Sequence, residues 1–322
     1  MDKFAEVAAL LPISAVVPTR NRREPLGRML NSLAQQSAQP MEAIVVDGST
    51  TDDSKELCHA KIPGLLTKII YSRAIEVGAA TQRNQAIAHA CQDTIWLLDD
   101  DIIFEPDCLA RLWAALQSDP CLGGVNAMIT NQRYLPPGRV SRLLFPFLHG
   151  RAEASYAGKC IGPAFNLLPE DRPDLPEVVP VEWLNSTCTL YRRQALPQPL
   201  FPPNFTGYSL MEDVTLSLMV GKKWKLANAR TARIFHDSQP GDHKSNPAVL
   251  AKMELINRHY VMSCILGRQQ LGDYLKLAVL QIFGIAASLV SVPGWLSLPA
   301  VLLGKLGAIR EIISSLATSN EK

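Results

Sequence analysis

Apolar positions recur along the first 130 or so residues in two alternating rhythms. Ser14-Ala15-Val16-Val17 is a short run that reads as a buried strand stopped by Pro18. Leu26, Met29, Leu30 and Leu33 then fall at i, i+3, i+4 and i+7, one apolar face of a helix. Ala43 to Val46 predicts a second strand, ending at the turn-rich Asp47-Gly48-Ser49. Thr67 to Tyr71 predicts a third strand, Ala79 to Ala90 a helix, and Thr94 to Leu98 a fourth strand that runs straight into three aspartates. Leu109, Leu112, Trp113 and Leu116 restore the helical spacing after Pro106. Strands alternating with helices imply an α/β fold, a mostly parallel sheet flanked by helices.

Beyond about Thr130 the alternation stops. Tyr134 to Gly138 and Gly162 to Pro180 are rich in proline and glycine and predict long loops. Order returns at Val181 to Arg193, and a helix starts near Met211. From Leu277 to Gly304 no residue is charged, about the length needed to cross a bilayer. Pro293-Gly294 and Pro299 interrupt that stretch and suit a helix–break–helix that dips into one leaflet or lies in the interface. Lys276, Lys305 and Arg310 flank it as anchors for anionic headgroups, so membrane contact is expected through about 274–310. The alternative is an apolar helix pair packed on the rest of the chain or in a dimer interface.

Charge narrows the function classes. The chain carries 32 lysines and arginines against 30 aspartates and glutamates, a formal net charge of +2. That balance gives no overall basic field, and no nucleic-acid partner is expected. The seven cysteines are scattered without a CxxC pair, which argues against a disulfide framework or a zinc site. Asp2 and Glu6 make Met1 to Leu11 a poor signal peptide. A reduced, cytoplasmic compartment is expected, at the inner face of the cell membrane.

Three polar clusters follow three apolar runs: Pro18-Thr19-Arg20-Asn21-Arg22, Asp47-Gly48-Ser49 and Asp99-Asp100-Asp101. In a parallel sheet they converge on the edge where ligands bind. Three adjacent carboxylates repel one another unless a cation neutralises them. Asp99 and Asp101 can face the same way in an extended segment, as a hard divalent cation would need. A solvated acidic turn is the plainer reading of such a triplet taken alone.

The combination is more specific. Val16 to Arg22, Val45 to Ser49, Gly78 to Ala86, and Leu97 to Asp101, followed by Gly207-Tyr208-Ser209-Leu210-Met211-Glu212-Asp213-Val214 and Ile234-Phe235-His236-Asp237, resemble in order and spacing the family 2 glycosyltransferases. The resemblance implies a GT-A fold, a Rossmann-like nucleotide-diphospho-sugar transferase architecture. It places a GT-A domain at 1–245, with a nucleotide-sugar half at about 12–130 and an acceptor half at about 131–245. The remainder, 246–322, is expected to be helical. Pro18, Thr19 and Arg20 would line the nucleotide pocket and Asp47 would hydrogen-bond the base. Arg83 would approach the base or the diphosphate, where a guanidinium fork suits phosphate oxygens. Asp99 and Asp100 would contact the ribose and shape the site. Asp101 and His236 would ligate Mn2+ or Mg2+. Asp213 would act as general base in an inverting displacement, with Glu212 supporting the site.

The same resemblance implies a nucleoside-diphosphate sugar donor and a glycan or lipid-linked acceptor, as in bacterial cell-surface polysaccharide assembly. His243 and Lys244 could close over the diphosphate, though a solvated loop is the simpler reading. Trp183 could stack on a sugar or belong to the core. A sugar nucleotidyltransferase fits less well, because Pro18 to Arg23 contains no glycine. A non-catalytic binding protein of the same fold would be unlikely to keep Asp99, Asp101, Glu212, Asp213 and His236 together.

Overall fold

The computed structural model describes residues 8–238 and 245–319. The elements in chain order are β1 (Ala9–Thr19), α1 (Arg23–Ala34), β2 (Ala38–Asp47), α2 (Asp53–His59), β3 (Lys68–Arg73), α3 (Ala79–His89), β4 (Thr94–Leu98), β5 (Ile102–Phe104), α4 (Cys108–Gln117), β6 (Leu122–Ile129) and α5 (Ser141–His149). There follow β7 (Cys160–Ile161), β8 (Phe165–Asn166), β9 (Val178–Val181), β10 (Cys188–Arg192), α6 (Glu212–Val220), β11 (Lys225–His236), α7 (Pro247–Tyr260), α8 (Leu271–Ser288) and α9 (Val292–Ser319).

Among the described residues one sheet runs β3-β2-β1-β4-β10-β6-β11-β5, with β9 also paired to β11. Its N-terminal half is parallel. Beyond it the sheet is mixed: β10 lies antiparallel between β4 and β6, and β11 is parallel to β6 but antiparallel to β5 and β9. Helices cover both faces, and the apolar runs of the strands show why. In β1, Ile13, Ala15 and Val17 face one core while Val16 faces the other; Trp96 and Leu98 of β4 likewise oppose Ile95 and Leu97. A strand buried on both sides needs a continuous apolar run rather than an alternating one.

α1 buries the stripe its spacing predicts, with Leu26, Met29, Leu30 and Leu33 all at 0% exposure. Each such side chain contributes roughly 1.5–3 kcal/mol. β1 differs from its expected end, running through Pro18 to Thr19. Its ladder to β4 ends at the Val16–Leu97 pair, so the N–H that proline lacks falls beyond the doubly paired region.

α5 and β11 carry no clear signal in the sequence. Pro146 sits inside α5 and disguises it. β11 reads as polar at Asn228 and Arg230, yet it is held by β6, β9 and β5 in turn. The C-terminal segment is helical, as expected. Asn246 caps α7 by accepting from the backbone N–H groups of Ala248 and Val249 at 3.0 and 3.2 Å. The break between α8 and α9 falls at Leu289 to Ser291, just ahead of Pro293-Gly294, and Pro299 is accommodated inside α9. All seven cysteines are free thiols.

Candidate active site

β1, β2 and β4 are parallel, so their C-terminal ends deliver Thr19, Asp47 and Asp99 to one edge of the sheet. A cavity of 280 Å³ opens there, lined by Pro18, Thr19, Arg20, Arg22, Arg83, the three aspartates, Tyr208 and His236 among others. The N-terminus of α3 forms one wall through Gly78 and Ala79, whose N–H groups donate to Gln82 Oε1 and to the Gly207 carbonyl, both at 3.2 Å. Gly78 and Gly207 meet backbone to backbone. A Cβ on Gly78 would lie 3.0 Å from the Gly207 nitrogen, so side chains are excluded at this approach.

The acidic triplet is tied down residue by residue. Asp100 is buried, accepting from Thr19 Oγ1 at 2.7 Å and from Arg22 Nη1 at 2.7 Å. Arg22 spans to the next residue, its Nη2 donating to Asp101 Oδ2 at 2.6 Å. The other Asp101 oxygen, Oδ1, lies 3.2 Å from His236 Nε2. Strand pairing accounts for that meeting, since β11 lies antiparallel to β5 with His236 opposite Ile102, the residue after Asp101. Burial opposes ionisation of Asp101, but His236 and Arg22 hold its carboxyl down at about 2. Asp100 goes the other way, pushed by burial to about 7 against the pull of Arg22 and Thr19.

Asp99 joins Asp101 and His236, the ligand atoms of all three lying within 4.8 Å of one another. Two carboxylates and one imidazole make an oxygen-dominated donor set that fits Mn2+ or Mg2+. The pair expected as ligands, Asp101 and His236, thus gains a third candidate in Asp99.

Arg83 connects this cluster to the second acidic pair. It is 3% exposed and donates to Asp99 Oδ1 at 2.5 Å and, through Nη1, to Glu212 Oε1. Glu212 Oε2 is buried without a hydrogen-bond partner among the described residues, as is Arg83 Nε. Burial pushes Glu212 up to about 8, with Arg83 pulling the other way. Asp213, in the first turn of α6, accepts from the Val214 N–H at 2.7 Å. Burial raises its carboxyl to about 6 against that hydrogen bond and Arg83. Glu212 and Asp213 do not line the cavity; Glu212 is joined to it through Arg83, and Asp213 follows it in α6.

The loop before them is backbone-strained. Gly207, Ser209 and Met211 all have positive φ, at 63°, 55° and 74°. For the two non-glycine residues this conformation is disfavoured and must be held by surrounding contacts. Asn257 of α7 supplies one, donating to the Leu210 carbonyl at 2.7 Å, and Thr215 another, donating to the Met211 carbonyl at 2.8 Å.

Asp47 is placed differently from its expected role. It is fully buried and off the cavity wall, accepting from the Ser49 N–H at 2.8 Å, Tyr71 at 3.0 Å and Arg73 at 3.4 Å. It braces the loop beside the pocket. Trp183 belongs to the core, 6% exposed, with Nε1 donating to Leu167 at 2.7 Å. His243 and Lys244 lie outside the described residues. Two site residues escaped the sequence reading: Arg22, and Gln82, whose amide donates to the Thr19 and Val46 carbonyls at 2.9 and 2.7 Å. Both stand within quoted motifs, but no spacing rule distinguishes Arg22 from Arg20.

The fold is the GT-A fold. The chain superposes with a TM-score of 0.52 at 14% identity on a mannosyltransferase from Pyrobaculum calidifontis solved with GDP-Man and Mn2+, covering 95% of this chain and 91% of that one. Residues 14–164 match the family described as glycosyl transferase family 2, the family its motifs resemble. A "PGL/p-HBAD biosynthesis glycosyltransferase" of Mycobacterium tuberculosis is 32% identical over 139 residues, 41% of this chain and 54% of the relative. The glycosyltransferase GlyG of Streptococcus pneumoniae is 30% identical over 105 residues, 33% of this chain and 35% of GlyG. The chain spans about half the length of the mycobacterial relatives it matches.

Proposed function

We propose that the chain transfers a sugar from a nucleoside-diphosphate sugar to a hydroxyl of a glycan or lipid-linked acceptor, with inversion, at the inner face of the cell membrane. The observation that carries the reading is the single constellation of Asp99, Asp101 and His236 beside Arg20, Arg22 and the α3 N-terminus, with Arg83 linking it to Glu212, the neighbour of Asp213 in the chain. The guanidinium groups of Arg20, Arg22 and Arg83 in the cavity lining suit the phosphates of a nucleoside diphosphate. A divalent cation held by Asp99, Asp101 and His236 would neutralise the diphosphate as it leaves.

The remaining steps fall to the protein's own groups. Asp213 takes the proton from the attacking acceptor hydroxyl. Its raised ionisation point keeps it basic yet able to hold that proton near neutrality. Arg83 ties Asp99 to Glu212, the residue before Asp213, and so keeps the acidic triplet and the base at a fixed separation. A single base away from the leaving group implies one displacement and hence inversion.

The test is nucleotide-sugar turnover over a panel of UDP, dTDP and GDP sugars with Mn2+, Mg2+ or EDTA. Release of one nucleoside diphosphate that stops on chelation supports the reading and names the donor. Absence of both turnover and nucleoside-diphosphate binding across the panel rejects it.

A further inference from the structure

α8 and α9 are each long and apolar enough to cross a membrane, yet only 11% of either window is buried within the protein. The part that is buried fixes their disposition. On α8, Leu277 and Leu280 are 7% and 6% exposed, and Leu280 packs with Leu144, Phe145 and Leu148 of α5. On α9, Ala308 is fully buried in a cluster with Leu255 and Met262. Gly304 lies so close to α7 that a Cβ there would meet the Ala248 carbonyl oxygen at 2.1 Å. Polar contacts reinforce the seam: Lys252 reaches Glu311 at 2.8 Å and Lys305 reaches Glu254 at 3.3 Å.

That seam excludes a straight crossing by α9. Carrying the helix through the hydrocarbon would draw Lys252, Glu254 and Arg258 of α7 in with it, and buried charges there are strongly unfavourable. Only Val292 to Leu303 extends ahead of the seam. Those residues rise about 18 Å as a helix, against a hydrocarbon thickness of about 30 Å. The free end therefore reaches into one leaflet and no further.

Its surface is apolar, with Ile282, Val290, Val292, Trp295, Leu296 and Leu303 between 59% and 90% exposed. α5, which packs against α8, adds a second face: Val140, Leu143 and Phe147, at i, i+3 and i+7, are 66%, 79% and 44% exposed. Basic residues adjoin both faces in sequence: Arg139 just ahead of α5 and Arg142 on it, Lys276 on α8 and Arg310 on α9. None of the four has an acidic partner among the described residues. An exposed apolar stripe flanked by unpaired cations matches a lipid surface with anionic headgroups, and matches a second protein copy less well.

We infer that α5 and the α8–α9 hairpin form one monotopic docking surface that enters a single leaflet of an anionic membrane, leaving the cavity on the aqueous side. This deepens the membrane location in the proposed function and rests on it, but it is tested without donor or acceptor, so its failure leaves the sugar-transfer chemistry standing.

The experiment is flotation of the full chain with vesicles of phosphatidylcholine, or of phosphatidylcholine and phosphatidylglycerol in equal parts. Tryptophan quenching by lipids brominated at shallow or deep acyl positions is read in parallel. Binding to the anionic vesicles is expected, with quenching that is lost in Trp295→Phe. Leu143→Glu on α5 and Leu296→Glu on α9 sit at exposed positions that leave the core intact. Each should weaken binding about ten-fold or more, the scale of one leucine's lost burial. Three results would overturn the inference: no binding to either vesicle, a soluble dimer whose formation those substitutions abolish, or a tag inserted after Ser291 that becomes protease-accessible inside sealed vesicles.

Discussion

In the proposed mechanism, replacing Asp213 by asparagine isolates the proton-transfer step, because Asp213 lies off the wall of the cavity proposed to hold the donor. Asp213 is off the cavity wall, so affinity for a nucleoside diphosphate should stay within about two-fold of wild type. Asparagine retains Oδ1 and can still accept from the Val214 N–H, which keeps the first turn of α6 intact. What is lost is the base. General-base catalysis contributes roughly 10²–10⁴ in rate, about 3–5 kcal/mol of barrier. Burial also fixes the pH dependence: with Asp213 raised to about 6, the active carboxylate predominates at pH 7. It falls to about a tenth at pH 5, one decade per unit below the ionisation point. The assay is kcat for sugar transfer between pH 5 and 8 at saturating donor and Mn2+, for wild type and Asp213→Asn. Wild type should show an acidic limb near 6 that the variant lacks, on top of a fall in kcat of at least about a hundred-fold. A variant within a few-fold of wild type, or one that keeps the limb, would remove Asp213 from the mechanism.

Three further outcomes follow from other contacts. Arg22→Lys keeps the charge but breaks the fork between Asp100 and Asp101, so Mn2+ affinity by calorimetry should fall by about ten-fold, and an unchanged affinity would show that the fork does not orient Asp101. Gly124→Ala puts a Cβ 2.6 Å from the buried Tyr191 ring, and thermal melting should show a loss of about 1–3 kcal/mol; a wild-type midpoint would mean the ring can move aside. Glu254 is lowered below its ordinary 4.5: burial opposes this, but Arg258 and Lys305 outweigh it. Its stabilisation should be present above about pH 4.5 and fade as pH falls through the folded value, so that melting of wild type and Glu254→Gln converges in acid; a gap independent of pH would count against the ion pairs.

The strands and helices up to β6 were legible in the sequence because their signals are local. An apolar run buried on both faces, a helix stripe at i, i+3, i+4 and i+7, and a polar cluster after each strand all lie within a dozen residues. Parallel pairing then compels those clusters to share an edge. Asp99, Asp100, Asp101 and Arg83 could be named on that basis together with the family pattern, and all four line the cavity.

What the sequence could not decide is which way side chains turn and which distant segments meet. Nothing local tells Arg22 from Arg20; only the folded loop turns Arg22 onto Asp100 and Asp101. Asp47 was placed in the pocket by its motif, yet Tyr71 and Arg73 on the neighbouring strand draw it into the protein. His236 reaches Asp101 through an antiparallel pairing between strands more than a hundred residues apart. In the C-terminal segment, the sequence favoured a helix–break–helix that dips into a leaflet or lies in the interface over a straight span, with packing on the protein or in a dimer as the alternative. Only the tertiary structure reveals the seam between α7 and α9, the packing of one helix on another that limits how far the apolar segment can leave the protein.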